Sequence, residues 1–377
     1  MRKPWLQIDL DVLKENVRIV RDAVGPSSEV IFVVKSNAYN HGAIPVATAA
    51  YHAGMRWFGV AYLDEALELR RVLDKPGLLV MGVVEPGDVP TLVQHRITPI
   101  VVSLEHGRAL GDAALAARTR LSVHFKIDTG MGRLGVHWKQ AAKVYGQLLA
   151  HPGLQIDGIM SHFATVEPGR PESAIAQAER FTDFDRRRRR IDPRPVMRHL
   201  SSSRAMLYYQ EWDFDAVRPG IALYGYGTQD SKMRASTRPF LEWKSNLVQV
   251  KKVPAGFQVG YYSTYTTERP TTIGTVCAGY TDGFLRTLSK QGIVLVGGKR
   301  CRVAGRVSMN WLTVDLGRDS TAQAGDEVVL IGRQGDEEIW AGELARLCRT
   351  IPYEILTNIA YRTEPRYLSS AGDAEPV

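Results

Sequence analysis

The sequence predicts an α/β protein, with an N-terminal (β/α)8 TIM-type barrel over residues 1–238 and a C-terminal mainly-β domain over residues 239–377. Short apolar runs alternate with amphipathic helical patterns through the N-terminal part of the chain. After Arg238 the pattern changes to β-branched runs separated by glycine turns. A length of 377 residues also exceeds what one typical domain needs, so two domains are expected.

Seven apolar runs are predicted strands of the barrel, and an eighth is expected near Val217 to Tyr224. The seven runs are VIFVVK, WFGVA, GLLVMG, TPIVV, LSVHFKID, IDGIMSHF and VMRHL. Segments with apolar residues at helical spacing lie between them, among them LDEALELRRVL and AAKVYGQLLAH. Strands and helices that alternate in this way predict a closed parallel barrel with the helices outside.

The C-terminal domain is predicted to be an antiparallel sheet of short strands. Its β-branched runs are SNLVQVKKVPAG, TTIGTVCAGY, GIVLVGGKRCRVAGRVSMNWLTVDL and GDEVVLIG. No solenoid repeat and no low-complexity linker separates the two predicted domains.

The composition disfavours several classes of protein. A net charge of +8 and the run Arg186 to Arg190 would permit nucleic-acid binding. However, five consecutive helical residues point in almost every direction, and Asp183, Asp185 and Asp192 flank the run. No nucleic-acid motif accompanies the charge, so no nucleic-acid role is predicted.

The cysteines and the apolar segments indicate a reducing, soluble environment. Cys277, Cys301 and Cys348 are scattered and lack metal-ligand spacing, which predicts neither a disulfide framework nor a metal site. No segment reaches membrane-spanning length, and charges interrupt the N-terminus before a signal-peptide core forms. A cytoplasmic protein without a membrane partner is therefore expected.

Polar residues at the ends of the predicted strands are the candidate site, because barrel chemistry collects where strands end and βα loops begin. Lys35 ends the first strand, Lys126 and Asp128 end the fifth, and His162 ends the sixth. Ser201 to Ser203 follow the seventh, and Arg218 lies in the eighth. A lysine at a strand end is usually a surface charge whose stem covers apolar surface. In a desolvated barrel mouth, however, its pKa falls and its amine can form a Schiff base with an aldehyde.

Pyridoxal phosphate is an aldehyde that the other polar residues at the strand ends could bind. The serine run and the turn RPGIALYG supply hydroxyls and backbone N–H groups for a phosphate, and Arg218 can address the ring nitrogen. His162 could stack on the ring or be a hydrogen-bonded structural histidine.

The chain resembles the alanine racemases, which are pyridoxal-phosphate enzymes of fold type III. The resemblance rests on eight motifs in family order over roughly residues 4–368: VVKSNAYNHG, KIDTGMGRLG, GIMSHFA, RPGIALYG, VGYYSTY, GYTDG, GRVSMN and IPYEILTNIAYR. It implies pyridoxal phosphate bound to Lys35, His162 beside the ring and Arg218 on the pyridine nitrogen. It also implies a phosphate site formed by Tyr39, Ser203, Gly220, Ile221 and Tyr353.

The resemblance further implies two catalytic bases, Lys35 for the D-enantiomer and Tyr261 for the L-enantiomer. The tyrosine would come from the β domain of a partner subunit, so the active sites of a homodimer would be shared. Met309 and its backbone would bind the substrate carboxylate across the subunit interface, and Arg133 would assist from the barrel side. Lys126 is often carbamylated in relatives, although pairing with Asp128 is the simpler alternative.

The implied activity is the interconversion of L-alanine and D-alanine by two-base proton transfer, which supplies D-alanine for peptidoglycan. Serine or broad-specificity racemisation, or a fold type III amino-acid decarboxylase, are the alternatives. The sequence departs from the family at Ser202, where asparagine is usual, at Asn310, where aspartate is usual, and at Glu167, where a corridor aspartate is common. Asn310 removes a negative charge beside the implied substrate site.

Overall fold

The computed structural model describes residues 3–227 and 233–370. Its strands are β1 Trp5–Asp9, β2 Glu29–Val33, β3 Trp57–Val60, β4 Gly77–Val80, β5 Ile97–Val101, β6 Leu121–Asp128, β7 Val136–His137, β8 Leu154–Met160, β9 Met197–Ser202, β10 Ala216–Arg218, β11 Leu241–Val253, β12 Gln258–Val259, β13 Tyr265–Thr266, β14 Thr271–Val276, β15 Ile293–Val296, β16 Lys299–Val303, β17 Leu312–Asp315, β18 Glu327–Gln334, β19 Glu337–Ile339 and β20 Glu364–Leu368. Its helices are α1 Leu10–Val24, α2 Lys35–Asn40, α3 Ala43–His52, α4 Leu63–Arg70, α5 Val89–Gln94, α6 Leu104–Ala116, α7 Trp138–Leu149, α8 Glu172–Ile191, α9 Ser203–Tyr208, α10 Ala341–Cys348 and α11 Pro352–Thr357.

The chain divides into two compact units whose limits differ from the predicted domains in two short segments. The first unit consists of the described residues of Leu13–Ala38 and Ala43–Arg238. The second consists of the described residues of Met1–Val12, Tyr39–Gly42 and Pro239–Val377. In the described part of the chain, residues 3–12 and 39–42 thus belong to the second unit, although they precede residue 239 in the sequence.

The first unit is the predicted (β/α)8 barrel. Strands β2, β3, β4, β5, β6, β8, β9 and β10 pair in parallel, and the β5–β6 and β2–β10 pairings close the circle. The eighth strand, β10, is shorter than predicted. Pro219 and Gly220 follow it, and the chain then turns, with Leu223 donating its N–H to the carbonyl of Gly220. Proline lacks a backbone donor, which limits the strand to three residues.

Apolar side chains from five strands fill part of the barrel interior. Ile31, Leu79, Ile100, Met160 and Ala216 form a buried cluster. Each is at most 1 % exposed, so each large side chain among them contributes about 1.5–3 kcal/mol of burial energy. The strands are therefore held at a fixed register, which positions the polar residues that follow them.

The second unit is built around a nine-stranded sheet in the order β19-β18-β15-β16-β17-β14-β11-β1-β20. The first strand of the chain, β1, lies inside this sheet. Trp5 pairs with Lys244 of antiparallel β11 and with Glu364 of parallel β20. The predicted antiparallel sheet therefore also includes a strand from the N-terminal end of the chain and one parallel pair, because long-range pairing decides where a five-residue strand belongs.

The arginine run, Arg186 to Arg190, lies near the end of α8, and its central residue, Arg188, is buried and hydrogen-bonded within the fold. Arg188 is 2 % exposed and donates to Asp185 Oδ1 and to the carbonyl oxygens of Asp192 and Arg194. Arg186 and Arg187 pair with Asp183 on the helix surface. The run therefore does not present one basic contact face. None of the helices in the described ranges is long and apolar enough to cross a membrane.

Replacement of Arg188 by alanine is expected to lower the free energy of unfolding by about 3 kcal/mol, because it leaves the carboxylate of Asp185 buried with weaker partners. The matched control Arg187→Ala removes an exposed charge, and a change below about 1 kcal/mol is expected. Urea unfolding monitored by circular dichroism measures both variants. Equal effects of the two substitutions would contradict the structural role of Arg188.

Candidate active site

The chain forms a left-handed helical turn directly after β2, in place of the simple strand end that the sequence predicts. Within α2, the residues from Ser36 to Asn40 have φ between +51° and +68°. This conformation costs an L-residue roughly 1–2 kcal/mol, so five in succession need external support. Asn37 Oδ1 accepts the N–H of Ala43 at 2.8 Å, and Ser36 donates its N–H to Glu65 Oε1 at 2.5 Å. Backbone strain of this kind is typical of functional segments.

Lys35 begins this turn and is half-buried at the carboxyl end of β2. Burial lowers the pKa of its amine, the charge of Arg133 lowers it further, and Glu65 opposes the shift. A lowered pKa increases the fraction of unprotonated amine at neutral pH. Lys35 is therefore a candidate nucleophile.

Arg218 lies at the end of β10 and is buried, and its hydrogen-bond partners are neutral groups. Its NH2 donates to the carbonyl oxygens of Ser161 and Leu200 at 2.6 and 3.0 Å. NH1 lies 2.9 Å from His199 Nδ1, and NH2 lies 3.4 Å from His162 Nδ1. Its Nε–H has no partner among the described residues, so the guanidinium still has a donor to offer. Burial lowers the pKa of Arg218 to about 9.

Three histidines around Arg218 are neutral. A guanidinium only donates, so His199 Nδ1 accepts from Arg218 and its Nε2–H donates to His124 Nδ1 at 2.8 Å. Burial lowers the pKa of His199 well below its ordinary value and that of His124 to about 4. Burial and the neighbouring cations lower the pKa of His162 to about 3. The imidazole of His162 is therefore neutral across the physiological range.

Lys126 is buried inside the barrel at the end of β6. Burial lowers the pKa of its amine to about 7, and Arg218 and Arg133 act in the same direction. The alternative pairing with Asp128 is not formed as an ion pair in the described residues. The Asp128 carboxylate instead accepts the N–H groups of Gly130 and Gly132, at 2.9 and 3.1 Å, and so folds the loop that leads to Arg133.

Lys35, Lys126, Arg133 and Arg218 are a cluster of cationic residues at the carboxyl ends of the barrel strands. They lie close enough that Arg218, Arg133 and Lys35 each lower the pKa of Lys126. Within the part of the chain that is described, no ion pair joins any of them to a carboxylate. Lys126 and Arg218 are buried and Lys35 is half-buried, and the charges of Glu65 and Asp128 oppose the shifts of the lysine pKa values without forming ion pairs in the described residues. Such a cluster favours the binding of an anion.

The predicted phosphate residues of the barrel lie side by side. Ser203 is the first residue of α9, and its Oγ accepts the N–H groups of Gly220 and Ala222 at 2.9 and 3.2 Å. Its hydroxyl hydrogen and the N–H of Ile221 remain as donors, since neither has a partner in the described ranges. Ser202, one of the departures from the family pattern, ends β9.

The remaining predicted residues belong to the second unit. Tyr39 is buried and its ring centre lies 5.6 Å from that of Tyr353, and burial raises the pKa of Tyr39. Tyr261 is 66 % exposed on a short 3-10 turn that begins after Gly260. Met309 is exposed, and its carbonyl accepts from the N–H and the hydroxyl of Thr281.

Sequence reasoning missed the residues that support these groups. Gln177 of α8 donates to the carbonyl of His162 and to Thr129, and it accepts the N–H of Ala164. The sequence alone does not distinguish a buried glutamine on a helix from an exposed one. His199 and His124 were visible only as polar residues inside apolar strands. Glu65 gave no signal, because it resembles an ordinary helix-start carboxylate.

Two family models match nearly the whole chain. The model described as "Alanine racemase, N-terminal domain" matches residues 8–228, and the one described as "Alanine racemase, C-terminal domain" matches residues 240–367. An alanine racemase of Carboxydothermus hydrogenoformans is 39 % identical over 371 residues, which is 98 % of this chain and 100 % of the relative. One of Syntrophobacter fumaroxidans is 38 % identical over 95 % of this chain and 96 % of the relative.

Solved structures give the same result. Alanine racemase from Streptomyces lavendulae superimposes with a TM-score of 0.92 at 37 % identity, covering 98 % of both chains. The Bacillus anthracis enzyme with bound L-Ala-P has a TM-score of 0.91 at 33 % identity, covering 100 % of this chain and 97 % of that one. The Bartonella henselae enzyme with covalently bound pyridoxal phosphate has a TM-score of 0.88 at 29 % identity, covering 98 % of this chain and 100 % of that one.

Proposed function

This chain belongs to the alanine racemase family, and from that premise we propose how its own residues carry out the reaction. The activity is the interconversion of L-alanine and D-alanine, and the full-length relatives do not favour the decarboxylase and broad-specificity alternatives. The cofactor, the roles of the residues and the shared dimer are the proposal. The observation that carries it is the half-buried Lys35 amine of lowered pKa, within a cluster of cationic residues that no ion pair joins to a carboxylate in the described ranges.

The residues fit pyridoxal 5'-phosphate by the chemistry of their donors. The phosphate dianion of the cofactor and the carboxylate of the substrate would balance the positive charge of the four cationic residues. Lys35 supplies the amine for covalent attachment, and the free Nε–H of Arg218 suits an aromatic nitrogen acceptor. Ser203 and the N–H of Ile221 are phosphate donors, with Gly220 allowing the close turn. Tyr39 and Tyr353 are proposed to complete the phosphate site.

When bound, the cofactor withdraws electrons from the α-carbon of the amino acid and so acidifies its proton. Arg218 limits how far this proceeds, because its guanidinium donates a hydrogen bond without giving up its proton. Moderate electron withdrawal suits a reaction that only removes and returns one proton and so inverts the configuration at the α-carbon. Lys35 moves that proton on one face of the α-carbon, and the opposite face needs a second base.

We propose that Tyr261 of a partner subunit is the second base. The phenol is mostly exposed on its turn, so it is available to another molecule. Neutral His162 accepts from Arg218 at Nδ1, which leaves its Nε2–H to donate to the phenolate. This hydrogen bond and the nearby cations would make the tyrosine a usable base at neutral pH.

An exposed apolar face on the second unit supports a homodimer. Tyr262, Tyr361 and Met309 are 81 %, 88 % and 55 % exposed. Backbone hydrogen bonds join the segments of Met309 and Tyr361: Thr281 donates to the carbonyl of Met309, and Ala360 donates to that of Asp282. The ring of Tyr262 lies against Arg306, which precedes Met309 by three residues. Exposed aromatic and apolar residues that adjoin in this way mark an interaction surface. A second copy of the chain would cover this face and bring Tyr261 to the partner's barrel.

The substrate carboxylate is proposed to bind Arg133 of one subunit and the backbone N–H of Met309 of the partner subunit. Arg133 is exposed at the end of the loop that Asp128 folds. No described residue accepts the N–H of Met309. Asn310 donates to Thr281 Oγ1 at 3.0 Å, so the amide that stands in place of the family's aspartate is used in a local hydrogen bond.

From family membership we also propose that the enzyme is cytoplasmic and that its D-alanine serves peptidoglycan synthesis. The test of the proposed function is an absorption spectrum of the purified protein, followed by circular dichroism of L-alanine, D-alanine and L-serine incubated with it. We expect visible absorbance from bound cofactor and loss of optical activity with both enantiomers of alanine. Carbon dioxide release without racemisation would support a decarboxylase instead.

Hybrid dimers test the sharing of active sites. When Lys35→Ala and Tyr261→Phe subunits are mixed and allowed to exchange, roughly a quarter of the wild-type sites should be restored, because half of the dimers are hybrids and each holds one complete site. The racemase rate after mixing, with subunit exchange verified by native mass spectrometry of tagged chains, measures this. An inactive mixture of proven hybrids would mean that each site is built within one chain.

Carbamylation of Lys126 is a further testable part of the proposal. A pKa of about 7 leaves much of the amine neutral at pH 7 to 8. Its nitrogen can then bond to the carbon of CO2 and release one proton to solvent, which turns a repelling cation into an anion that orients Arg133. We expect a carbamate signal in 13C NMR after addition of labelled bicarbonate, absent in Lys126→Ala. The KM for alanine in that variant should rise about tenfold or more, the effect of one charged hydrogen bond.

A further inference from the structure

Glu65 connects two βα loops of the barrel through the two oxygens of one carboxylate. Oε2 accepts the N–H groups of Ala61 and Tyr62, at 2.8 and 3.1 Å, at the start of α4. Oε1 accepts the N–H of Ser36 at 2.5 Å, in the loop that follows β2. The first oxygen makes an ordinary helix-start contact, but the second reaches a residue 29 positions earlier in the chain.

The contact falls at the residue after Lys35, where the left-handed turn begins. A helical turn leaves its first N–H groups without internal acceptors, and Glu65 satisfies that of Ser36. The five residues from Ser36 onward are strained by their positive φ angles, so the turn persists only where surrounding groups hold it. The first of these anchors is the carboxylate of Glu65.

We propose that Glu65 is a positioning residue for Lys35: its carboxylate ties the strained turn to the end of β3 and so aims the lysine amine into the site. The proposal rests on the role of Lys35 proposed above. Loss of the tie would let the turn relax and displace the amine. A displacement of about 1 Å can lower a reaction rate by about 100-fold, so a small movement is enough to matter.

The test variant is Glu65→Gln. The amide has one acceptor oxygen and an NH2 group that meets backbone N–H donors, so it cannot satisfy both loops. The matched control is Asp88→Asn. Asp88 Oδ2 accepts the N–H of Glu85, three residues earlier in the chain, at 2.9 Å, and the Asp88 carboxylate bonds to no second loop in the described residues. Both substitutions remove one negative charge from the start of a helix. Only Glu65→Gln removes the carboxylate that accepts the N–H of Ser36.

Two measurements follow for wild type and both variants. In the cofactor-free protein, hydrogen exchange of the peptide that spans residues 34–40 should become at least about tenfold faster in Glu65→Gln and stay unchanged in Asp88→Asn. In the loaded enzyme, kcat should fall about 10- to 100-fold with little change in KM, since the carboxylate contacts of the substrate are untouched.

The outcomes separate this inference from the proposed function. Faster exchange with unchanged kcat would show that Glu65 holds the turn without positioning Lys35, and unchanged exchange would show that it is only a helix cap; either result overturns the inference. An inactive wild-type protein would instead contradict the proposed function. If Glu65→Gln does not fold, Glu65→Asp replaces it, because the shorter side chain keeps the charge but cannot span both loops, and the same two results are expected.

Discussion

Replacement of Lys35 by alanine is expected to abolish the visible absorbance of the purified protein and to lower racemase activity by more than about 10⁴-fold, the upper limit for one acid–base group. The reason is that the variant loses both the amine that attaches the cofactor and the base on one face of the substrate. Its spectrum and the rates of both directions of alanine racemisation are to be measured against wild type.

The matched control is Lys143→Ala, which removes an exposed lysine from α7 and should leave the spectrum and the rates unchanged. Thermal unfolding of Lys35→Ala without cofactor verifies that the barrel is intact. The attachment role would be wrong if the variant still bound pyridoxal phosphate covalently, as shown by borohydride reduction and peptide mass spectrometry.

Replacement of Tyr261 by phenylalanine should leave the cofactor spectrum intact while racemisation falls by about 10²- to 10⁴-fold in both directions, because the ring remains but the ionisable oxygen is gone. The α-proton of D-alanine should still exchange with solvent deuterium, since Lys35 serves that face. The α-proton of L-alanine should not exchange. Proton NMR in deuterium oxide follows both enantiomers directly.

The control for this prediction is the neighbouring Tyr262→Phe. Tyr262 is 81 % exposed and its ring lies 4.6 Å from the guanidinium carbon of Arg306, a contact that phenylalanine keeps. Full activity of Tyr262→Phe beside an inactive Tyr261→Phe would assign the base to one phenol. The two-base scheme fails if Tyr261→Phe retains the wild-type rate in both directions.

The barrel and the chemistry at its strand ends could be predicted from sequence because both depend on local patterns. The apolar residues of VIFVVK predict a buried strand from local pattern alone. The lysine that closes this run is therefore predicted to lie at the end of a strand. The same holds for Arg218 after β10 and for Ser203 at the start of α9. The roles given to these residues stay predictions until the variants above are measured.

Other features could not be predicted, because contacts between distant parts of the chain create them. No residue type in SNAYN demands positive φ angles, and the left-handed turn exists because Glu65 and other partners hold it. Strand β1 has the alternation of any half-buried strand, and only its pairing with β11 and β20 places it in the second unit. Arg188 looks like its four neighbours until the fold buries it against Asp185.

By itself, the sequence determined the fold class, the candidate lysine and the polar residues available to it, since periodicity and side-chain chemistry are properties of short segments. Only the tertiary structure decided the pKa shifts of the lysines and histidines in the site, the handedness of the turn after Lys35 and the absence of an ion pair between the described cationic cluster and a carboxylate. These depend on burial and on charges from several strands, and desolvation acts only once the chain has folded around them.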